Sequence, residues 1–514
     1  MTVFPKQRSA LIARFAKFAL VTVGLAGLLV GCGWAIAAGH AKALFIGLVG
    51  GGLAALAFRQ RGAFIGLLLL AAMNGLPFVS TSTFTAKPIF LLVLASCVWM
   101  AIDGSNKHLT RLAHAISRSG LLLLLWWLWT VGRTTAGQNV PIYSAMNFGR
   151  EFGFFAVLLI LLPRVRLTSR DIGALLAVLT AGVCLFAVGQ IMIATGHGQP
   201  GDLIHFERTL QESGLTRVYT PMTDLIDAAL ALSIGACLIA RQHRTRLIAA
   251  PVAALLTISV VVQLTRARWI GLVVGLVLVS VWVTVNNYPR VTPILRRRLV
   301  VAISVLGVAA LAVVLTAPGI LSDGTVIHRL SSIFTDLQTG SGTVAVRESV
   351  TATMKAYLGE KWLAGIGLVP ASAHYFEGLP KGSIHDADLG VLNAVMTMGV
   401  VGAVLVYVPA LLTLIHYLRR SSAVWSGSYG WLGYGGAVWI VATLLSSVTL
   451  VTLFGTTGLT LTAIVLTVLA NPSVSRELAP STSVSLQQES PSLIVRAGRS
   501  ARYRGYAMPT TAEH

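Results

Sequence analysis

The sequence predicts an all-α polytopic membrane protein of about fourteen transmembrane helices. Three observations predict it. Mean hydropathy is +0.78. Only 11% of residues are charged, against about 25% in a soluble domain. Apolar runs of roughly 17–25 residues, each able to cross about 30 Å of hydrocarbon, recur from end to end. The expected spans are 18–38, 43–58, 63–80, 88–102, 119–132, 152–163, 172–194, 224–240, 247–264, 269–286, 299–317, 388–417, 429–447 and 452–470. The sixth has room to begin earlier, near Ile142. Residues 1–470 form the expected membrane domain, with one large loop over 318–387. The tail, 471–514, is rich in Ser, Pro and Arg and is expected to be disordered. The first apolar run is longer than a signal-peptide core, and further spans follow it, so it reads as an uncleaved helix.

Loop charge orients these spans, because cytoplasmic loops retain Lys and Arg. With both termini inside, the inside segments collect 26 of the 39 basic residues and 5 of the 18 acidic ones. The formal net charge of +21 then sits entirely on one side. Topology and anionic headgroups explain the basic loops without nucleic acid as a partner. Cys32, Cys97, Cys184 and Cys237 lie within apolar stretches, without metal-binding spacing or a disulfide framework.

Function is sought where a membrane protein places polar groups it had the option to omit. Three outer segments qualify. In 196–223, Arg217 precedes a helix whose start carries Asp224 and Asp227. Those acids suit a positive helix end, and Arg217 is either an interface charge or an anion contact. In Gln263-Leu-Thr-Arg-Ala-Arg-Trp-Ile-Gly, Arg266 and Arg268 fall between two apolar helices at the outer edge. They either snorkel to headgroups or offer guanidinium forks to phosphate.

The third segment is the loop 318–387. Val346, Val350, Met354, Tyr357 and Leu358 recur at helical spacing, predicting an amphipathic helix on the membrane surface that stops at Gly359. Arg347 lies near its start, and Gly365 and Gly367 mark a turn. The loop closes on Ser383-Ile-His385-Asp-Ala-Asp388. His385 is either a hydrogen-bonded residue at a helix start or a base for a hydroxyl proton. Asp386 and Asp388 either cap the next helix or hold a divalent cation.

At these residues the chain resembles the bacterial O-antigen ligase and O-antigen (exopolysaccharide) polymerase superfamily. The matching pieces are Arg217, Leu264-Thr-Arg-Ala-Arg-Trp-Ile-Gly-Leu, Arg347, Trp362, Gly365-Ile-Gly367, His385-Asp-Ala-Asp-Leu and Thr397-Met-Gly-Val-Val-Gly402. They occur in order over roughly 200–417. The resemblance implies a transmembrane glycosyltransferase-like bundle in the bacterial inner membrane. Such proteins work at the periplasmic face on an undecaprenyl-diphosphate-linked oligosaccharide. The acceptor is a second lipid-linked glycan or the lipid A core of lipopolysaccharide, with room for a chain-length regulator. It further implies Arg217, Arg266 and Arg347 as diphosphate contacts, with Arg268 an alternative to Arg266. His385 becomes the general base or acceptor-orienting group, and neither a cofactor nor a metal is needed. Asp386 and Asp388 leave a metal as the departure from that pattern.

Two competing classes are a lipid-linked glycan flippase or polysaccharide transporter, and a membrane scaffold. A transporter is expected to place ionisable groups at mid-membrane depth, whereas these arginines fall at the outer edge.

Overall fold

A computed structural model describes residues 60–73, 109–138, 140–165, 167–197, 208–212, 215–219, 222–263, 265–286, 292–298, 343–369, 390–419, 429–448, 450, 456–471 and 474. The described helices are α1 (Arg61–Ala72), α2 (Arg111–Gln138), α3 (Ile142–Phe148), α4 (Arg150–Leu161) and α5 (Ser169–Ala194). They continue with α6 (Thr223–Ile239), α7 (His243–Val262), α8 (Arg266–Val285), α9 (Thr343–Leu358), α10 (Gly390–Leu418), α11 (Gly430–Ser446) and α12 (Thr456–Ala470). Among the described residues, α2, α5, α7, α8 and α10 are long and apolar enough to cross a membrane. The pair α3–α4, bent by 66°, forms a sixth candidate. It begins at Ile142, where the sequence left room for an earlier start. The expected spans 18–38, 43–58, 88–102 and 299–317 lie outside the described residues.

One expectation is corrected. The chain is not purely helical, because β1 (Arg208–Glu212) and β2 (Leu215–Tyr219) form an antiparallel hairpin within the segment read as loop. Glu212 pairs with Leu215, leaving the two-residue connection Ser213-Gly214. The local chemistry explains this. Thr, Val and Tyr favour extended backbone, and a two-residue connection containing Gly suits a hairpin.

The bundle is apolar outside as well as within, with a minority of polar side chains buried between helices. Thr130, Gln190, Ser259 and Thr462 are buried, while Leu122 and Leu125 on α2 and Val273, Val277 and Val281 on α8 are exposed. Hydrocarbon replaces water as the outer medium, so helices are joined by close packing and polar links. Ser259 donates to Gln190 at 2.7 Å between α7 and α5. Ser280 and Tyr434 share a 2.6 Å hydrogen bond between α8 and α11.

Helix α6 is the hub, packed against α7 and α11 and touching α5, α8 and α12. Helix α11 runs antiparallel to α8, and Gly271 and Gly275 of α8 lie against the Ala442 and Val438 carbonyls of α11. These contacts sort the helix ends. The N-terminal turns of α6 and α8, the C-terminal turn of α11 and Gly458 of α12 meet at one end. At the other, Tyr417 of α10 donates to the Leu469 carbonyl of α12 and Thr110 donates to Ala470. Arg298, in the short helix 292–298, donates to the Leu238 and Ala240 carbonyls that finish α6.

Candidate functional site

The end where α6, α8 and α11 meet carries a cluster of charged side chains. Arg268 lies in the first turn of α8, and its guanidinium reaches two carboxylates of α6. Nη2 lies 2.8 Å from Asp224 Oδ1, and Nη1 donates to Asp227 Oδ2 at 2.5 Å. The Arg268 side chain is only 12% exposed, and both acids are similarly enclosed. Charges taken this far from water persist only when paired. Asp224 and Asp227 stand three positions apart on one helix face, so a single fork spans both. They are therefore not helix caps: the N-cap of α6 is Met222, without a side-chain capping bond. Trp439, Thr443 and Ser446 of α11 close the cluster.

Arg268 is thus committed to its own protein. Arg266 is the first residue of α8, two positions earlier. Arg217 lies on β2, paired with Leu210, and β2 lies against α5. Only a short connection separates β2 from α6, so the hairpin delivers the chain directly to the helix carrying Asp224.

Two further joints fix α10 and the turn after α9 in the bundle. Gly390 starts α10 against α11: the Val391 N–H donates to the Ser447 carbonyl at 2.9 Å. A Cβ on Gly390 would stand 2.0 Å from that carbonyl oxygen. The second joint is the turn after α9. Ile366 N–H donates to Met396 O at 2.7 Å, and Gly367 N–H to Thr397 O at 3.2 Å. These carbonyls are available because α10 is broken at Gly399, whose φ is +73°. Leu363 O would lie 2.0 Å from a Cβ there. Met354 and Leu358 of α9 pack with Ile366 and Met396. The C-terminal half of the predicted amphipathic stripe therefore rests on protein, and α9 does stop at Gly359, at φ +47°. Arg347 belongs to this docked helix.

The sequence reading missed the partners of this turn on α2. Arg133 donates to Ala364 O at 2.7 Å and stacks over Trp129 at 5.1 Å. Gln138 donates to the Ile366 carbonyl, and the Leu368 N–H donates to Thr134 Oγ1 at 3.0 Å. The available signal was an arginine beside a run of tryptophans at the outer end of an expected span.

Gly399→Ala is expected to destabilise the protein by about 3 kcal/mol or more, because positive φ and a backbone clash act together. Thermal unfolding in detergent checks this. An unchanged midpoint would remove the turn as the element that seats α9.

The structure therefore brings Arg268 together with Asp224 and Asp227. The backbones of Arg217, Arg266 and Arg347 lie on β2, α8 and α9, which pack respectively against α5, against α11 and α6, and against α10. The side chains of those three lie outside the described residues, as do His385, Asp386 and Asp388 entirely. No group of three or more His, Cys, Asp or Glu side chains suited to a metal occurs among the described residues. Cys184 and Cys237 are free thiols.

Residues 251–407 match the family model described as O-Antigen ligase. Over those residues, about three-tenths of its length, the chain is similar to that family. The match runs from within α7 into α10 and contains Arg266, Arg268, Arg347 and His385, while Arg217 precedes it. No curated protein matches the chain.

Proposed function

We propose that this chain, through its O-antigen ligase-like region, transfers glycan from an undecaprenyl-diphosphate-linked donor to a sugar hydroxyl at the outer face of the bacterial inner membrane. The observation that carries the reading is the family match over 251–407, within which Arg266 opens α8 and Arg347 lies on α9. Helices offering five described spans, and a sixth if the bent pair counts as one, fit a protein that acts on membrane-embedded substrates.

The chemistry needs few parts. The acceptor oxygen attacks the anomeric carbon, the bond from that carbon to the diphosphate oxygen breaks, and the bonding electrons leave on the diphosphate. The acceptor proton passes to His385. Direct displacement inverts the anomeric centre. Guanidinium groups stabilise the departing charge as it develops. Arg217, Arg266 and Arg347 supply them in this reading, because the Arg268 fork already serves Asp224 and Asp227. Arg268 is a positioning residue: it locks the start of α8, and with it the Arg266 position, to α6. Asp386 and Asp388 cap α10 or, as the alternative, hold a cation between phosphates.

Reconstitution in proteoliposomes with lipid-linked oligosaccharide tests the proposal, with and without lipid A core. Longer lipid-linked chains identify a polymerase, and glycosylated core identifies a ligase. Movement of unchanged donor across the bilayer identifies the flippase alternative and removes the enzymatic account. A chelator arm that abolishes transfer assigns a metal to Asp386 and Asp388; unchanged transfer leaves them as caps.

A further inference from the structure

A second cavity runs along α6 from Leu225, beside the charged cluster, to Ala236 near the helix's far end. Helices α5, α6, α7, α11 and α12 enclose an apolar groove of about 400 Å³, within the roughly 300–1,000 Å³ range of small-molecule sites. Leu179, Ala229, Leu232, Val252, Ile464 and Val468 are among its walls. Among the described residues, the one charged group in its lining is Arg244, which stands with Gln242 and Thr245 at one mouth. That mouth lies at the C-terminal end of α6. Asp224 lies near the other end of the same helix, roughly 24 Å away at 1.5 Å per residue.

The mouth is short of negative charge. Helix α7 opens His243-Arg244-Thr245-Arg246, with no acid in its first turn and no side-chain cap. Cations at a helix N-terminus oppose the helix dipole, so an anion there relieves both the dipole and the arginines. The Nε of Arg246 is buried without a hydrogen-bond partner among the described residues. Burial, and then the neighbouring Arg246, push the Arg298 guanidinium below its ordinary value. Positive charge is therefore crowded at this corner, directly beside a groove of hydrocarbon character.

We infer that the groove holds one acyl chain of an anionic glycerophospholipid, whose phosphate sits at Gln242, Arg244 and Thr245. This lipid is a bound structural partner that wedges α7 against α5 and α6, and the inference stands apart from the transfer reaction. Charge complementarity sets its direction: the head faces the arginines, at the end of the bundle remote from Asp224 and Arg268.

Native mass spectrometry of protein extracted from mixed phosphatidylglycerol and phosphatidylcholine bilayers tests this. The wild-type protein is expected to retain one phosphatidylglycerol preferentially. Arg244→Glu is expected to lose about tenfold of that preference, the scale of one to two interfacial charge contacts. Ala229→Phe fills the groove and is expected to evict the lipid; should it fail to fold, the exposed Arg244→Glu decides alone. Arg419→Glu, an exposed charge at the end of α10, is expected to change nothing. Equal retention of both lipids, an equal loss in Arg419→Glu, or displacement of phosphatidylglycerol by polyprenyl phosphate overturns the inference.

Discussion

His385→Ala is expected to lower glycan transfer by about 100- to 10,000-fold, the range a positioned general base supplies. Its unfolding midpoint is expected to stay at the wild-type value. The reason lies in the anchoring of α10. Gly390 abuts the Ser447 carbonyl so closely that no side chain fits, which pins the helix start beside α11. The same turn of α11 contributes Ser446 to the wall around Arg268. His385 lies five positions before Gly390, a tether of at most about 18 Å. A base carried on that tether stays within about that distance of the helix end that abuts α11. If His385→Ala transfers glycan at the wild-type rate, the base is elsewhere. The loss is expected in kcat rather than in the donor KM, because a base acts in the transition state and not in donor binding.

The second large effect separates two arginines that look equivalent in sequence. Arg268→Ala is expected to destabilise the fold by about 3–5 kcal/mol, because it strands two carboxylates in a poorly solvated cluster. Arg268→Lys is expected to recover only part of this, since an ammonium lacks the planar fork that serves Asp224 and Asp227 together. Arg266→Ala is expected to leave stability unchanged and to lower transfer by about 100- to 1,000-fold, the scale of one lost donor to a departing oxyanion. Paired unfolding and rate measurements distinguish the two roles. A stable Arg268→Ala protein, or a fully active Arg266→Ala protein, reverses the assignment.

Much of this architecture is written in the chain as composition. Every described helix from α4 to α8 overlaps a run that hydropathy marked as a span. The amphipathic spacing from Val346 to Leu358 likewise marked α9, and Gly359 its end. What local pattern did not carry is contact between distant elements. Asp224 and Arg268 are far apart in sequence, and each alone suits a helix end. The readable hint was the spacing of Asp224 and Asp227 on one face of an otherwise apolar helix, which asks for a cation across the interface. The hairpin was legible in principle, from Thr-Leu-Gln and Leu-Thr-Arg-Val-Tyr around Ser213-Gly214. The polar residues that flank it, His197 to Asp202 and Glu207, give the segment the composition of a loop.

The turn at Gly365 is a different case. Its glycines appear in the sequence as a family-like signature, and that pattern does not say what they are for. The structure supplies the reason. The turn's N–H groups bond carbonyls that α10 releases by breaking at Gly399, and α2 clamps the turn from the other side with Arg133, Thr134 and Gln138. Signature positions on α9 and α10 thus belong to one joint, and a residue such as Arg347 inherits its place from contacts made well away from its own side chain.

The most direct test is the lipid product. In proteoliposomes holding the donor and an acceptor, each new glycosidic bond is expected to release one undecaprenyl diphosphate, quantified by mass spectrometry. Arg266→Ala and Arg347→Ala are expected to depress bond formation and lipid release in equal proportion. Release of undecaprenyl monophosphate in place of the diphosphate, or glycan transfer with no free lipid, would contradict the account.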